Sequence, residues 1–320
     1  MKKNLLLLAL LALATIGFTA CGGDDINDGG NDVPDNKTDV KLPEQPYKED
    51  AVILQFSEEN PVDYYIADEN GETGYNVTEL ELTESGYYFV KLEKKRDQEA
   101  KATRANGAVE YFYLWGLYTK TADGGYDLAG FGYINIAVTT TGQTQVDMTI
   151  VTSAQGVTEV SVTVTVTPPP ANNNSQENLN LCRAWDIVST RVQIEGVSAF
   201  YQESGCDLNS ILDYIKGYAD VKDYLEPNQV IEKIVFSDNG TFSLLYKNEN
   251  TDRAHWRWVN EATGQLAYDW EFGDMGYSFV DGTASVDLKP NGTTSQLKLY
   301  GKTDDGKGTK KAVTVTVNIK

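Results

Sequence analysis

The sequence predicts a mainly β protein built from two antiparallel β domains, with one helix inserted in the second. Three observations carry this. Alternation with a period of two recurs, as where Val162, Val164 and Val166 interleave with Thr163, Thr165 and Thr167, the pattern of a half-buried strand. The stretches 82–88 and 236–242 can each be drawn as the same hairpin with three loop residues. Between the two halves, Pro168-Pro169-Pro170-Ala171-Asn172-Asn173-Asn174-Ser175 interrupts all pattern, because prolines cannot donate to a ladder and favour a stiff spacer. A chain of 320 residues is long enough for two cores.

The elements follow in order. Lys2 and Lys3 precede an apolar run from Leu5 to Phe18, too short for an ordinary membrane span and flanked like a secretory signal, so 1–20 is read as a signal peptide. Residues 21–50 hold Asp24, Asp25, Asp28, Asp32 and Asp35 with few large apolar groups, and read as a disordered acidic tether. The first β domain spans 51–167. In its hairpin, Leu82 faces Tyr88 and Leu80 faces Val90, with Gly86 supplying the left-handed turn residue. The charged run from Lys94 to Arg104 reads as an exposed loop. A linker at 168–177 leads to the second domain, 178–320. There Leu208, Ile211, Leu212, Ile215, Tyr218 and Leu225 recur at helical spacing, with Asp207 as N-cap and Pro227 ending the run. The second hairpin sets Phe236 against Phe242 and Ile234 against Leu244, with Gly240 in the left-handed position. Matching hairpins suggest distant copies of one domain, although any antiparallel β domain contains such turns.

Composition excludes several classes. A net charge of −20 and a pI near 4.4 argue against a nucleic-acid partner, which needs Lys and Arg to neutralise phosphates. One histidine excludes a multi-histidine metal site, and three cysteines exclude a four-cysteine zinc site. That histidine, His255, alternates with Arg253 and Arg257 on a charged strand face, away from the tryptophans, and is read as solvated.

Two resemblances add to this. Thr19-Ala20-Cys21, closing the apolar run, resembles a bacterial lipobox, which implies cleavage before Cys21 and diacylglycerol on its sulfur. The acidic cluster after Cys21 resembles the surface-export signal of Bacteroidota lipoproteins. Stable attachment needs two or more acyl chains, at about 0.8 kcal/mol per buried CH₂. The second domain resembles the lipocalin-like domains of such lipoproteins. The match rests on Leu181-Cys182-Arg183-Ala184-Trp185 as a first strand, the Ser237–Phe242 turn, Trp256 and Trp258, and the closing Val313-Thr314-Val315-Thr316-Val317 strand. It implies a lipocalin-like barrel. Arg183 stands where lipocalins carry a glycine.

The residues of most interest are Trp256, Trp258, Tyr268 and Trp270, which share one face of a strand pair. They read as core, as the wall of a cavity for a ligand, or as an exposed stacking platform. The expected register sets Trp258 opposite Tyr268 and Trp256 opposite Trp270, around a Glu261–Gln265 loop with Gly264 at positive φ, and leaves Arg257 and Asp269 in solvent. Cys182 and Cys206 are a candidate disulfide, or two separate buried thiols. No catalytic residue, metal ligand or cofactor is expected. The expected function is a surface-anchored lipoprotein of the outer membrane, facing outward, whose partners are the bilayer through acylated Cys21 and an apolar or aromatic small molecule. An adhesive protein binding glycan or protein is the alternative, and a carboxylate-dependent hydrolase a third.

Overall fold

Alternating apolar residues close each half of the chain into a barrel. The computed structural model describes residues 47, 49–68, 71–95, 111–152, 155–167, 175–218, 229–270, 282–289, 293–304 and 310–320. The signal segment, Cys21, the acidic cluster, the linker prolines and residues 96–104 of the charged run lie outside the described residues.

The first half forms β1 (Val52–Phe56), β2 (Val62–Asp68), β3 (Gly71–Leu82), β4 (Tyr87–Lys94), β5 (Tyr111–Lys120), β6 (Tyr126–Leu128), β7 (Gly132–Val138), β8 (Thr144–Thr152) and β9 (Gly156–Thr167). Each strand pairs with its antiparallel neighbour, and β1 pairs with both β9 and β3. Eight strands therefore close, and β2 remains as an arm on β3. The second half forms β10 (Ala184–Ile194), β11 (Tyr201–Ser204), β12 (Ile231–Phe236), β13 (Thr241–Tyr246), β14 (Thr251–Asn260), β15 (Gln265–Trp270), β16 (Gly282–Asp287), β17 (Ser295–Asp304) and β18 (Lys310–Ile319). Here β10 pairs with β18 and β12 to close eight strands, and β11 is an arm on β10. Closure removes sheet edges and gives each barrel one interior core.

The two hairpins form as expected. Leu82 faces Tyr88 and Leu80 faces Val90. Phe236 faces Phe242 and Ile234 faces Leu244. Gly86 and Gly240 have φ of 84° and 79°. The likeness goes further than the turns. The Gly86 carbonyl accepts from the Tyr118 N–H at 2.8 Å, and the Gly240 carbonyl accepts from the Trp256 N–H at 2.8 Å. The Tyr118 hydroxyl then donates to the Thr83 carbonyl, and the Trp256 indole to the Ser237 and Thr241 carbonyls. Each barrel thus has eight closing strands and an aromatic side chain locking the same turn, although the arm sits on β3 in the first and on β10 in the second.

Local differences from the sequence reading have local causes. The first barrel reaches back into the expected tether: the Tyr47 ring lies 4.7 Å from Tyr118, and Asp50 bonds Lys120 and Tyr126. Helix α1 (Gln176–Leu181) starts inside the expected linker, because Ser175 caps it by accepting the Asn178 N–H at 3.0 Å. Leu181 therefore ends a helix instead of opening a strand, and β10 begins at Ala184. Arg183 bonds the Asn180 carbonyl and lies 5.4 Å from the Trp185 ring, covering it. Helix α2 (Leu208–Lys216) is capped by Asp207 as expected but ends at Gly217, ahead of Tyr218. Leu225 and Pro227 lie outside the described residues.

The barrels meet on their outer faces. Phe89 and Tyr113 of the first pack against Val235 and Leu245 of the second. Around this apolar centre, the buried Arg253 of β14 pairs with Glu79 and, at 2.6 Å, with Glu81. Asn239 and Thr241 also donate to Glu81, at 2.9 and 2.7 Å. Glu84, in the first hairpin loop, accepts the Asp238 N–H at 2.9 Å and the Ser237 hydroxyl at 3.2 Å in the second. Two carboxylates, Glu79 and Glu81, thus share one guanidinium, and Glu84 lies on the facing turn. Burial, reinforced by Asp238 and Glu81, pushes the Glu84 carboxyl up to about 8.

Candidate functional site

In the second barrel the wall divides. β10 pairs with β12 only over Ala184–Asp186 and then leaves it to pair with β11. The place beside the start of β12 is taken by the chain entering α2. The Cys206 carbonyl accepts the Ile231 N–H, Asp207 bridges Val230, and the Leu208 N–H donates to the Gln229 carbonyl. Helix α2 then turns its apolar face inward, burying Leu208, Ile211, Leu212 and Ile215. The spacing of these four residues along a 3.6-residue turn makes that possible.

Beneath this seam lies a hollow of about 700 Å³ counting its open mouth, of which about 50 Å³ can hold the centre of a water molecule. Its walls are aliphatic: Ile187, Leu208, Ile211 and Leu244 on one side, Leu299 and Val315 on the other. Polar side-chain atoms in the lining are confined to the Cys206 thiol and the Tyr300 hydroxyl, and the latter bonds Ser285 at 2.8 Å. Such a surface offers apolar contact and no charge to a guest.

The aromatic set lies elsewhere. Trp256 and Tyr268 are buried and directly opposed, with Trp258 opposite Leu266 and Ala254 opposite Trp270. The pairing is displaced by two residues from the expected one. A tighter turn explains it: Glu261–Thr263 forms one 3₁₀ turn closed by Gly264 at φ 67°, and a bulge between Trp258 and Asn260 takes up the spare residue. Displacement by two keeps parity, so the aromatic face is retained. Trp256 fills core beside Phe236, and Trp258 is half-buried, its indole N–H on Asn178 of α1. Neither they nor Tyr268 line the hollow. The Trp270 side chain lies outside the described residues. Arg257 is exposed as expected, but Asp269 is buried. Its face of the sheet also carries Arg253, and this outer face is in part covered by the first barrel instead of water. His255, on the same face, is half-buried.

Cys182 and Cys206 are both buried thiols and are not joined by a disulfide. Cys182 precedes β10 and faces Glu84, whereas Cys206 faces Thr190. Thr190 lies six residues beyond Ala184, about 20 Å along a strand, much further than the Cα separation of about 4.4–6.8 Å that a bridge permits. Burial pushes the Cys206 thiol up to about 12 and the Cys182 thiol up as well.

The lining residues had only a weak signal in the sequence. Val313, Val315 and Val317 alternate as any barrel strand does, and alternation does not separate a filled core from a hollow one.

No protein-family model matches the chain, and no curated protein matches it. Among solved structures, it is similar to a tryptophan-to-alanine mutant of the vaccine antigen transferrin binding protein B from Haemophilus parasuis. That match has 10% identity and a TM-score of 0.22, over 82% of this chain and 66% of that one. An endo-1,5-alpha-L-arabinanase from Thermotoga petrophila matches at 9% identity and a TM-score of 0.12, over 81% of this chain and 66% of that one. The chain thus spans just under two thirds of either neighbour, and neither score bears on function.

Proposed function

We propose that this chain is a lipid-anchored surface protein whose second barrel takes up an apolar small molecule without chemical change. The aliphatic hollow under α2 carries the reading. Aliphatic walls reward apolar contact at about 25 cal/mol per Å² and penalise polar guests left without partners. The buried carboxylates Glu79, Glu81 and Glu84 hold the barrels together and are engaged with Arg253 and the Ser237–Thr241 turn. The lipobox-like Ala20-Cys21 supports the anchor, and the acidic cluster after it supports display outside the cell.

Native mass spectrometry of the purified protein, with a calorimetric titration of dodecanoate, tests the binding function. A co-purifying apolar molecule or saturable binding is expected. Val313→Leu and Val315→Leu, which each add a methylene to the wall, should weaken it. Absence of any bound molecule or titratable binding would refute the reading.

The adhesive alternative is favoured by β2 and β11, each of which ends its sheet among the described residues. Binding of host glycans or proteins that is lost on placing proline in β2, with the second barrel intact, would support it.

A further inference from the structure

We infer that the hollow takes a linear aliphatic chain, admitted through the β10–β12 seam by outward movement of α2. This rests on the reading of the hollow as a binding cavity. The guest class follows from the lining. Of the lining side chains only Phe242 and Tyr300 carry rings, and the rest, apart from Cys206 and Gly301, are Ile, Leu and Val. Aliphatic walls make close contact all along a flexible aliphatic chain and give an aromatic ring system few rings to stack on.

The entrance follows from topology. Elsewhere around the second barrel, each strand is joined to its neighbour by a ladder. Between β10 and β12 that ladder stops at Asp186 and Lys233, and the remainder of the wall is made by Cys206–Leu208 and the helix that follows. Gly205 and Gly217 flank this segment. Its outer side is held by side-chain contacts: the Tyr214 hydroxyl donates to the Ala199 carbonyl at 2.9 Å, and the Tyr214 ring lies 5.7 Å from Tyr201. Backbone contacts to β12 stop at Leu208, and a helix held in a wall beyond that point by side chains opens more readily than a strand held by a full ladder.

Cys206 sits under the helix start and lines the hollow, which makes it a reporter of opening that needs no ligand. Cys182, equally buried at the contact between the barrels, is the internal control. The test is peptide-resolved labelling of the full-length protein with N-ethylmaleimide under native conditions. Cys206 is expected to react about tenfold or more faster than Cys182, as local opening precedes global unfolding. Tyr214→Phe, which keeps the ring and removes one hydrogen bond, should accelerate Cys206 alone. Dodecanoate should slow Cys206, and 1-aminonaphthalene should not. Equal rates at the two cysteines, or no response to Tyr214→Phe, would overturn the gate even if dodecanoate binds. Protection by 1-aminonaphthalene but not dodecanoate would overturn the guest class and leave the binding function standing. Fast, Tyr214-sensitive labelling with no protection by either would uphold the gate and refute the cavity as a binding site.

Discussion

Glu84 offers a direct measurement of how the two barrels are joined. Its carboxyl is raised from an ordinary 4.5 to about 8 by burial between the hairpin loops, with Asp238 and Glu81 adding to the effect. The folded protein therefore keeps a proton at Glu84 that the unfolded chain has lost above pH 4.5. The unfolded state binds fewer protons than the folded one, so this group makes stability fall as pH rises from about 4.5 to about 8. Each pH unit within that window costs about 1.4 kcal/mol, which accumulates to about 3 kcal/mol at pH 7 and about 5 kcal/mol above pH 8. Glu84→Gln removes the titration. Its carbonyl can still accept the Asp238 N–H, and its amide can donate to the Ser237 hydroxyl. The assay is urea unfolding of both proteins from pH 4.5 to 9. The two stabilities should lie close together at pH 4.5 and diverge in favour of the variant up to pH 8, then run parallel. A difference independent of pH would refute the assignment of a buried, neutral Glu84.

Further outcomes follow from other parts of the molecule. Arg253→Met should destabilise the protein by about 3–5 kcal/mol in urea unfolding at pH 7, because Glu79 and Glu81 lose the buried cation that pairs with both. Gly264→Ala should lower stability by about 1–3 kcal/mol, since φ is 67° and the added Cβ would meet the Val286 carbonyl oxygen at 2.1 Å; a thermal melt reads this out. Proteolytic cleavage between residues 168 and 174 should yield two fragments that elute together in size exclusion, held by the buried contact between barrels; separate elution would show that the contact is weak. Cys21→Ser should abolish metabolic lipid labelling and release the protein from membranes, and retention equal to wild type would refute the anchor.

Much of the fold was legible in the sequence because the information was local. Hairpin register at Leu82–Tyr88 and Phe236–Phe242 is set by a glycine at positive φ and two flanking apolar pairs, all within about eleven residues. The cap at Asp207 and the apolar stripe of α2 are likewise short-range patterns. The aromatic strand pair shows the boundary of such reasoning. Parity along the strands placed Trp256, Trp258 and Tyr268 on one face, but the choice between registers two residues apart depended on a bulge and a 3₁₀ turn whose energies no periodicity records.

The contact between barrels and the hollow could be decided only in three dimensions. Glu79, Glu81 and Arg253 look like ordinary solvated residues of alternating strands, and they become buried because two outer barrel faces, more than 150 residues apart in the chain, cover one another. The hollow arises because β10 leaves β12 after three paired residues and a helix fills the gap. Alternation determines which side chains point inward. Whether those side chains meet and fill the interior depends on the barrel's closure and on what occupies each gap in its wall, and both are properties of the assembled fold.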